Sequence, residues 1–356
     1  MLIPTPDVRV GDRLGADAFH ASGLLVLSAG TELSADDLDK LQRLGIDLVD
    51  ILPRSGEAEA LPAEDYAFSS EPREAAREKA ALAAYQEAVD GIKTTFEQAL
   101  EEGFVSPEQV ARGFNPLADQ VHEEKDVVSL LLVLNNRDDY TYQHSVQVGM
   151  ISYYIAKWMG QTEEEALLAG RAGYLHDIGK CRIDRAILQK PSRLTSEEYE
   201  EIKKHTVFGY EILKRSGFPE AITMATLQHH ERFDGSGYPL KLRKESIHPM
   251  AKIVAVADIY SAMISTRVYQ KKRDLLYVLR ELYRCSFGEL DPEITQAFIR
   301  HMLPNFINKK IRLLTGEVGV IVMTNPCDYF RPLVNFDGEF VDLSERRDLE
   351  VEHIFV

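Results

Sequence analysis

His176 and Asp177 are adjacent, and Lys180 follows them inside Tyr174-Leu-His-Asp-Ile-Gly-Lys180. An imidazole beside a carboxylate is a chelating pair, and the two oxygens of the carboxylate can join two metal ions. Paired ions of this kind hydrolyse phosphate esters, because they supply a nucleophile at neutral pH and stabilise the charge growing on phosphorus. Histidines at 144, 205, 229 and 230 and an aspartate at 258 flank the pair, each in a segment whose periodicity predicts helix. Side chains from several helices can then converge on one centre. Imidazole nitrogen and carboxylate oxygen together suit Fe, Mn, Co, Ni or Zn, whereas an all-oxygen Mg or Ca cage has no use for five histidines. With Asp177 as the bridge, one ion takes His144, His176, Asp177 and Asp258, and the other takes Asp177, His205, His229 and His230.

Taken singly, a histidine on an apolar helix is as often a core residue satisfied by hydrogen bonds as it is a ligand. Taken together the set is harder to explain that way. Five of the ten histidines fall between 144 and 230, and Asp258 directly follows the apolar run Ile253-Val-Ala-Val-Ala257. Burying this much polarity without a counter-ion is costly, and metal ions remove the cost.

The elements that must position these groups are mostly helical. Residues 141–303 carry helical periodicity interrupted at Lys190-Pro-Ser-Arg-Leu-Thr195, Arg215-Ser-Gly-Phe-Pro219 and Phe233-Asp-Gly-Ser-Gly-Tyr-Pro239. Upstream, Leu82, Tyr85, Val89, Ile92, Phe96 and Leu100 recur at spacings of three and four, which predicts one amphipathic helix. It serves either as a packed helix or as a dimerising or signal-transmitting one. A second helix is expected over 106–135, with Leu130, Leu131 and Leu134 on its apolar face. The first residues alternate as strands do at Asp7-Val-Arg-Val10 and Gly23-Leu-Leu-Val-Leu27. A short helix follows, opened by Ser34-Ala-Asp-Asp37 as a capping box and closed at Gly45, then a strand over Ile46 to Leu52. After Pro304 the pattern turns to β at Ile311–Leu314, Gly319–Met323, Arg331–Phe336 and Phe340–Leu343. The expected organisation is therefore mainly α. It comprises an α+β module over 1–55, a linker over 56–73, connecting helices over 74–135, a helical catalytic domain over 136–305, and a β meander over 306–356.

Composition narrows the function. The chain of 356 residues is 45% hydrophobic and 28% charged, which suits a water-exposed globular protein with a substantial core. Its formal net charge of −16 argues against binding a nucleic-acid polymer, whose phosphates need many Lys and Arg. A small anion is still admissible, because metal ions and a few local cations reverse the field inside one pocket. Cys181, Cys285 and Cys327 match no chelating or disulfide framework, and no apolar run reaches 18 residues. A reducing, cytoplasmic setting with no membrane span is the expectation.

The ordered motifs resemble those of the HD-GYP phosphohydrolases, a bacterial branch of the HD superfamily whose members hydrolyse cyclic di-GMP. The resemblance covers residues 139–305. It rests on Tyr140-Thr-Tyr-Gln-His144-Ser145, His176-Asp177-Ile-Gly-Lys180, Lys190-Pro-Ser-Arg-Leu-Thr195, His205-Thr-Val-Phe-Gly209, the long segment His229-His230-Glu231 to Gly237-Tyr238-Pro239, and Asp258 through Arg267. It implies an HD-type helical fold. It also implies two divalent transition-metal ions, Fe or Mn, held by His144, His176, Asp177, His205, His229, His230 and Asp258.

In the same terms, Asp177 and Lys180 are catalytic, with Lys180 on the scissile phosphate or its attacking oxygen. Gly237, Tyr238 and Pro239 form a loop at the pocket rim, and Arg267 holds a phosphate or guanine. The implied reaction is attack of a metal-bridging hydroxide on cyclic di-GMP, giving linear pGpG or, further on, GMP. The alternatives are another cyclic dinucleotide or nucleotide as substrate, or a weakly active receptor that signals to a partner. A homodimer or a signalling partner would engage the N-terminal region. Two stretches depart from the family. Tyr140 stands where some members carry the glutamate of a third metal, which favours two ions. Arg267-Val-Tyr-Gln270 replaces the usual Arg-Pro-Tyr-Arg, which removes one cation from the substrate side.

Overall fold

The computed structural model describes residues 2–5, 8–15, 18–19, 25–27, 30–43, 46, 48–52, 73–121, 140–265, 275–325 and 328–355. Two compact units divide the chain, Met1–Ser70 and Glu71–Val356.

The first unit is a small α+β assembly. Strand β1 (Leu2–Pro4) pairs antiparallel with β4 (Leu48–Asp50), and β2 (Ala18–Phe19) pairs with β3 (Leu25–Leu27). Helix α1 (Ala35–Arg43) begins at the expected capping box. The Ser34 hydroxyl accepts from the Asp37 amide, and the Asp37 carboxylate accepts from the Ser34 amide. Leu14, Leu33, Leu41, Val49 and Ile51 form the core. The strand expected from Asp7 to Val10 does not form over its described part. The Asp12 carboxylate instead accepts from the Arg9 amide, the Asp12 amide donates back to the Arg9 carbonyl, and Gly11 takes φ +92°. A local turn supported by an aspartate outcompetes a ladder there.

The second unit opens with two helices, α2 (Arg73–Glu102) and α3 (Pro107–Val121). On α2 the buried stripe is Tyr85, Ala88, Val89, Ile92, Phe96 and Ala99. Leu82 and Leu100, expected on that stripe, are exposed instead, and the small residues Ala88 and Ala99 take places on the buried face. Between α2 and α3 the buried hydroxyl of Tyr174 donates to the Ala88 carbonyl at 2.6 Å. The second helix was expected to run to 135; its described part ends at Val121, and Leu130, Leu131 and Leu134 lie outside the described residues.

The helices that carry the chemistry follow. They are α4 (Tyr140–Trp158), α5 (Glu163–Leu175), the 3-10 turn Ile178–Arg182, α6 (Arg185–Leu188), α7 (Ser196–Lys203), α8 (His205–Arg215), α9 (Glu220–Gln228), α10 (Pro249–Ser265), α11 (Leu275–Cys285) and α12 (Pro292–Met302). Helix α5 starts at a capping box, Thr162 with Glu165, and α7 at another, Thr195 with Glu198. Helix α10 is apolar nearly all round, with Ile253, Val254, Val256, Ala257 and Tyr260 buried, so it runs through the core with neighbours on every side. That explains the apolar run before Asp258: the aspartate is carried on the central helix.

A five-stranded antiparallel sheet ends the chain: β5 (Lys310–Leu313), β6 (Val318–Met323), β7 (Leu333–Phe336), β8 (Glu339–Asp342) and β9 (Val351–Phe355), in the order β8-β7-β6-β5-β9. The first four are the expected meander. The fifth, not expected because Val-Glu-His-Ile-Phe lacks strict alternation, returns to the outer edge of β5. Ile311, Leu313, Ile321, Val334 and Ile354 join the same core as the helices. The architecture is mainly α, with small β-containing parts at both ends.

Candidate metal centre

Three of the histidines share one local device. Each follows the last turn of a helix, where main-chain carbonyls lack the i+4 amide partner of the helix interior. His176 follows α5, and its Nδ1 lies 2.6 Å from the Gly173 carbonyl. His205 follows α7, with Nδ1 2.7 Å from the Ile202 carbonyl. His229 follows α9, with Nδ1 2.9 Å from the Thr226 carbonyl. A carbonyl only accepts, so each Nδ1 carries the proton and each neutral ring turns a lone pair outward on Nε2. The sequence predicted these residues within helices; His205 is the first residue of α8, whereas His176 and His229 cap the ends of α5 and α9, so each ring has a last-turn carbonyl to fix its tautomer.

His144, on α4, reaches the same state by a side-chain relay. Its Nδ1 lies 3.0 Å from Ser261 Oγ, and the serine hydroxyl donates to Gln147 Oε1 at 3.0 Å. The serine proton is thus engaged, so the hydroxyl accepts from the ring. His144 Nε2 then points a lone pair at Asp258 Oδ1, 3.0 Å away.

Asp177 stands between two groups of donors. Its Oδ2 is 3.2 Å from His176 Nε2, while its Oδ1 is 3.3 Å from His205 Nε2 and 4.0 Å from His229 Nε2. Asp258 reaches His176 Nε2 at 3.9 Å through Oδ1 and His230 Nδ1 at 3.9 Å through Oδ2. Ligand atoms of His144, His176 and Asp258 lie within 4.8 Å of one another, as do those of Asp177, His205, His229 and His230. All seven predicted residues come together, with one oxygen of Asp177 facing each group.

The donor chemistry fits cations. His205 Nε2 and His229 Nε2 face each other at 3.4 Å with both Nδ1 protons already directed at carbonyls. His176 Nε2 and Asp177 Oδ1 are buried atoms with no hydrogen-bond partner. Opposed lone pairs in a buried site repel unless a positive charge lies between them. Protonation of the rings is disfavoured: burial holds His205 and His229 below the usual imidazole range and lowers His230 to about 3. His176 differs. Burial pulls it down, but the charge of neighbouring Asp177 outweighs that and raises it. For Asp258, burial works upward, and the adjacent His144 ring with the other surrounding imidazoles overcomes it, so the carboxyl is held below its usual range.

Lys180 lies 2.5 Å from Asp177 Oδ2. The sequence placed it on the same α-helical face as Asp177, but here Asp177 caps a 3-10 turn, in which positions i and i+3 eclipse, so the pair meets more directly. That turn packs tightly on α8, since a Cβ added to Gly179 would sit 1.9 Å from the His205 carbonyl oxygen. Tyr238 stacks on His230 with ring centroids 4.7 Å apart, at the open side of the cluster, and Pro239 follows it through a cis peptide. Gly237 is buried, and a Cβ there would meet the Arg232 amide at 2.3 Å. The missing side chain lets the loop close against the backbone of Glu231 and Arg232. Arg267, Gln270, Lys271, Lys272, Arg273 and Cys327 lie outside the described residues.

The sequence reading gave no role to Glu231 or Ser261. Glu231 is buried and accepts from the amides of Leu240 at 2.6 Å and Leu242 at 2.9 Å, closing the loop that carries Tyr238. Its position directly after His229-His230 was a signal. Ser261 had none, because its relation to His144 spans 117 residues.

With this geometry in place, comparison with known proteins gives a family. Residues 129–294 match the HD domain family. This segment is an HD domain. Over 178 residues the chain is 41% identical to a cyclic di-GMP phosphodiesterase of Thermotoga maritima, covering 49% of this chain and 48% of that protein. It is 34% identical over 193 residues to a cyclic di-GMP phosphodiesterase of Pseudomonas aeruginosa, covering 54% and 46%. It is 29% identical over 191 residues to a 3'3'-cGAMP-specific phosphodiesterase of Vibrio cholerae, covering 52% and 44%. The chain spans about half the length of the curated relatives it matches. Among the described residues, no helix is long and apolar enough to cross a membrane.

Proposed function

We propose that the chain is a metal-dependent phosphodiesterase that opens cyclic di-GMP to linear pGpG. The observation that carries this is the pair of lone pairs on His205 and His229, opposed at 3.4 Å beside Asp177, in a cluster whose other members repeat the arrangement. His144, His176, Asp177 and Asp258 would hold one divalent ion, and Asp177, His205, His229 and His230 the other. Iron or manganese suits this mixed nitrogen and oxygen set. Bound ions supply Lewis acidity and a water acidic enough to act near neutral pH.

The residues themselves perform the remaining tasks. The carbonyls behind His176, His205 and His229 fix the rings in one tautomer, so no reorganisation is needed when a ligand arrives. Lys180, partly exposed beside Asp177, presents a cation to a phosphate oxygen on which charge accumulates. Tyr238 offers an aromatic surface stacked on His230 at the mouth of the site. Arg267 is proposed as a further phosphate or guanine contact. The relatives named as cyclic di-GMP phosphodiesterases support the substrate.

One second reading has an observation behind it: the Vibrio cholerae relative named for 3'3'-cGAMP. A single experiment tests both. The full chain is purified anaerobically, its metal content is measured, and products from cyclic di-GMP and 3'3'-cGAMP are separated by chromatography. Metal at two equivalents and pGpG as product support the first reading, and a strong preference for 3'3'-cGAMP supports the second. Absence of product from either in metal-replete protein overturns both.

A further inference from the structure

A cleft of about 610 Å³ opens beside the metal centre, and Lys180 belongs to both. Its volume falls in the range of pockets that take a small organic ligand. One wall comes from the HD domain, through Lys180, Arg185 and Leu188. The other comes from α2, through Lys93, Phe96 and Glu97, which precede the residues that match the HD family. Tyr142, at the start of α4, closes the end. Phe96 is buried and meets Tyr142 edge-on, with ring centroids 5.4 Å apart and planes at 83°, which holds the Tyr142 ring in the wall.

The charges in this lining run against the rest of the chain. Lys93, Lys180 and Arg185 face one acid, Glu97, in a protein of net charge −16. Among the described residues neither Lys93 nor Arg185 has an ion-pair partner, so their charge remains available to a ligand. Three cations with an aromatic face suit a nucleoside phosphate. The carboxylate selects among bases. Guanine offers two donors side by side, N1–H and the 2-amino group, which a carboxylate can accept together. Adenine presents one donor at that edge, its 6-amino group, beside an unprotonated N1 that opposes the second carboxylate oxygen.

The geometry points to this cleft as the subsite for the second nucleotide of a dinucleotide whose reacting phosphate lies at the histidine–aspartate cluster. Tyr142 stacks the base, Glu97 accepts from the guanine edge, and Lys93 with Arg185 takes the phosphate. The assignment rests on the dinucleotide reading above and deepens it. Helix α2 thereby becomes the element that sets base preference, outside the HD match.

The test uses the full metal-loaded chain and hydrolysis-resistant phosphorothioate analogues of cyclic di-GMP and cyclic di-AMP, with affinity measured by calorimetry. Wild type should bind the guanine analogue more tightly. The double variant Lys93→Ala with Arg185→Ala should weaken both analogues about tenfold, as lost charge-assisted contacts do. Glu97→Gln should weaken the guanine analogue about tenfold and leave the adenine analogue near its wild-type affinity, a base-selective change that a loss of fold cannot produce. With cyclic di-GMP as substrate, the same variants should raise KM more than they lower kcat. Wild-type affinities in all variants overturn the subsite, and an equal loss for both bases in Glu97→Gln overturns the reading of guanine. If wild type binds the guanine analogue but releases no product from cyclic di-GMP, only the phosphodiesterase reading falls, and the variant affinities still decide the cleft. If it binds neither analogue while its metal centre cleaves bis(p-nitrophenyl) phosphate, the cleft proposal falls.

Discussion

Ser261 Oγ lies 3.0 Å from His144 Nδ1 while donating its own proton to Gln147, so the serine can only accept from the ring. The relay fixes which nitrogen of His144 faces Asp258. Replacing Ser261 with Ala removes the acceptor and frees the ring to tautomerise or rotate. Metal affinity at the His144 group should fall by about 10- to 100-fold, in line with other outer partners of ligating histidines. Competition with a chelator of known affinity measures it, and an unchanged affinity would show that the relay is dispensable.

Asp177 touches both donor groups through different oxygens. Asp177→Asn keeps its shape and loses its charge, so the variant should fold, retain less metal, and lose on the order of a thousandfold or more in phosphodiesterase rate. Circular dichroism, metal analysis and rate measurements on one preparation check all three. Turnover close to wild type would end the bridging role.

Glu231 closes its loop with two main-chain hydrogen bonds made by a buried carboxylate. Glu231→Ala leaves the Leu240 and Leu242 amides without their acceptor, which should cost about 2–4 kcal/mol of stability. Hydrogen exchange at those two amides is the direct readout. It should accelerate far more than exchange in α10, and equal protection in both proteins would refute the assignment.

Gly179 has no room for a methyl group against the His205 carbonyl and the Gly209 amide. Gly179→Ala must push the 3-10 turn away from α8, separating Asp177 from His205. A loss of at least about 3 kcal/mol is expected, as for other overpacked core positions. Thermal denaturation checks the magnitude, and a Tm within two or three degrees of wild type, on the order of 1 kcal/mol, would contradict it.

The buried imidazoles make the metal-free protein sensitive to acid. Unfolded histidines titrate near 6.5, while His205 and His229 are held below that value and His230 titrates at about 3. Below pH 6.5 the unfolded chain therefore takes up protons that the folded chain refuses, so stability falls as the pH falls. His176 is shifted upward and acts in the opposite sense, which leaves the three lowered rings dominant. Metal-free protein should lose stability between pH 7 and 5 by on the order of 1 kcal/mol per pH unit. Denaturant titrations at several pH values measure it; a flat or rising profile would contradict the tautomers assigned here.

Features that depend on residue type and near neighbours were legible along the chain. Helical periodicity marked α2 and the catalytic helices, the pair Ser34 and Asp37 marked the start of α1, and the identities of the histidines and aspartates marked a metal-binding set. Contacts distant along the chain were decided only by the tertiary structure. The partner of His144 lies 117 residues away, the fifth strand of the sheet appears only through pairing with the first, and the cleft needs α2 and the 3-10 turn on opposite walls. The same division explains why His176 and His229 fall just past their helices. Periodicity reports which face of a helix is apolar, but it does not report where the helix ends relative to a site. The last-turn carbonyls that fix His176, His205 and His229 lie only at those ends, and α5, α7 and α9 become one site only when packing brings their last turns together.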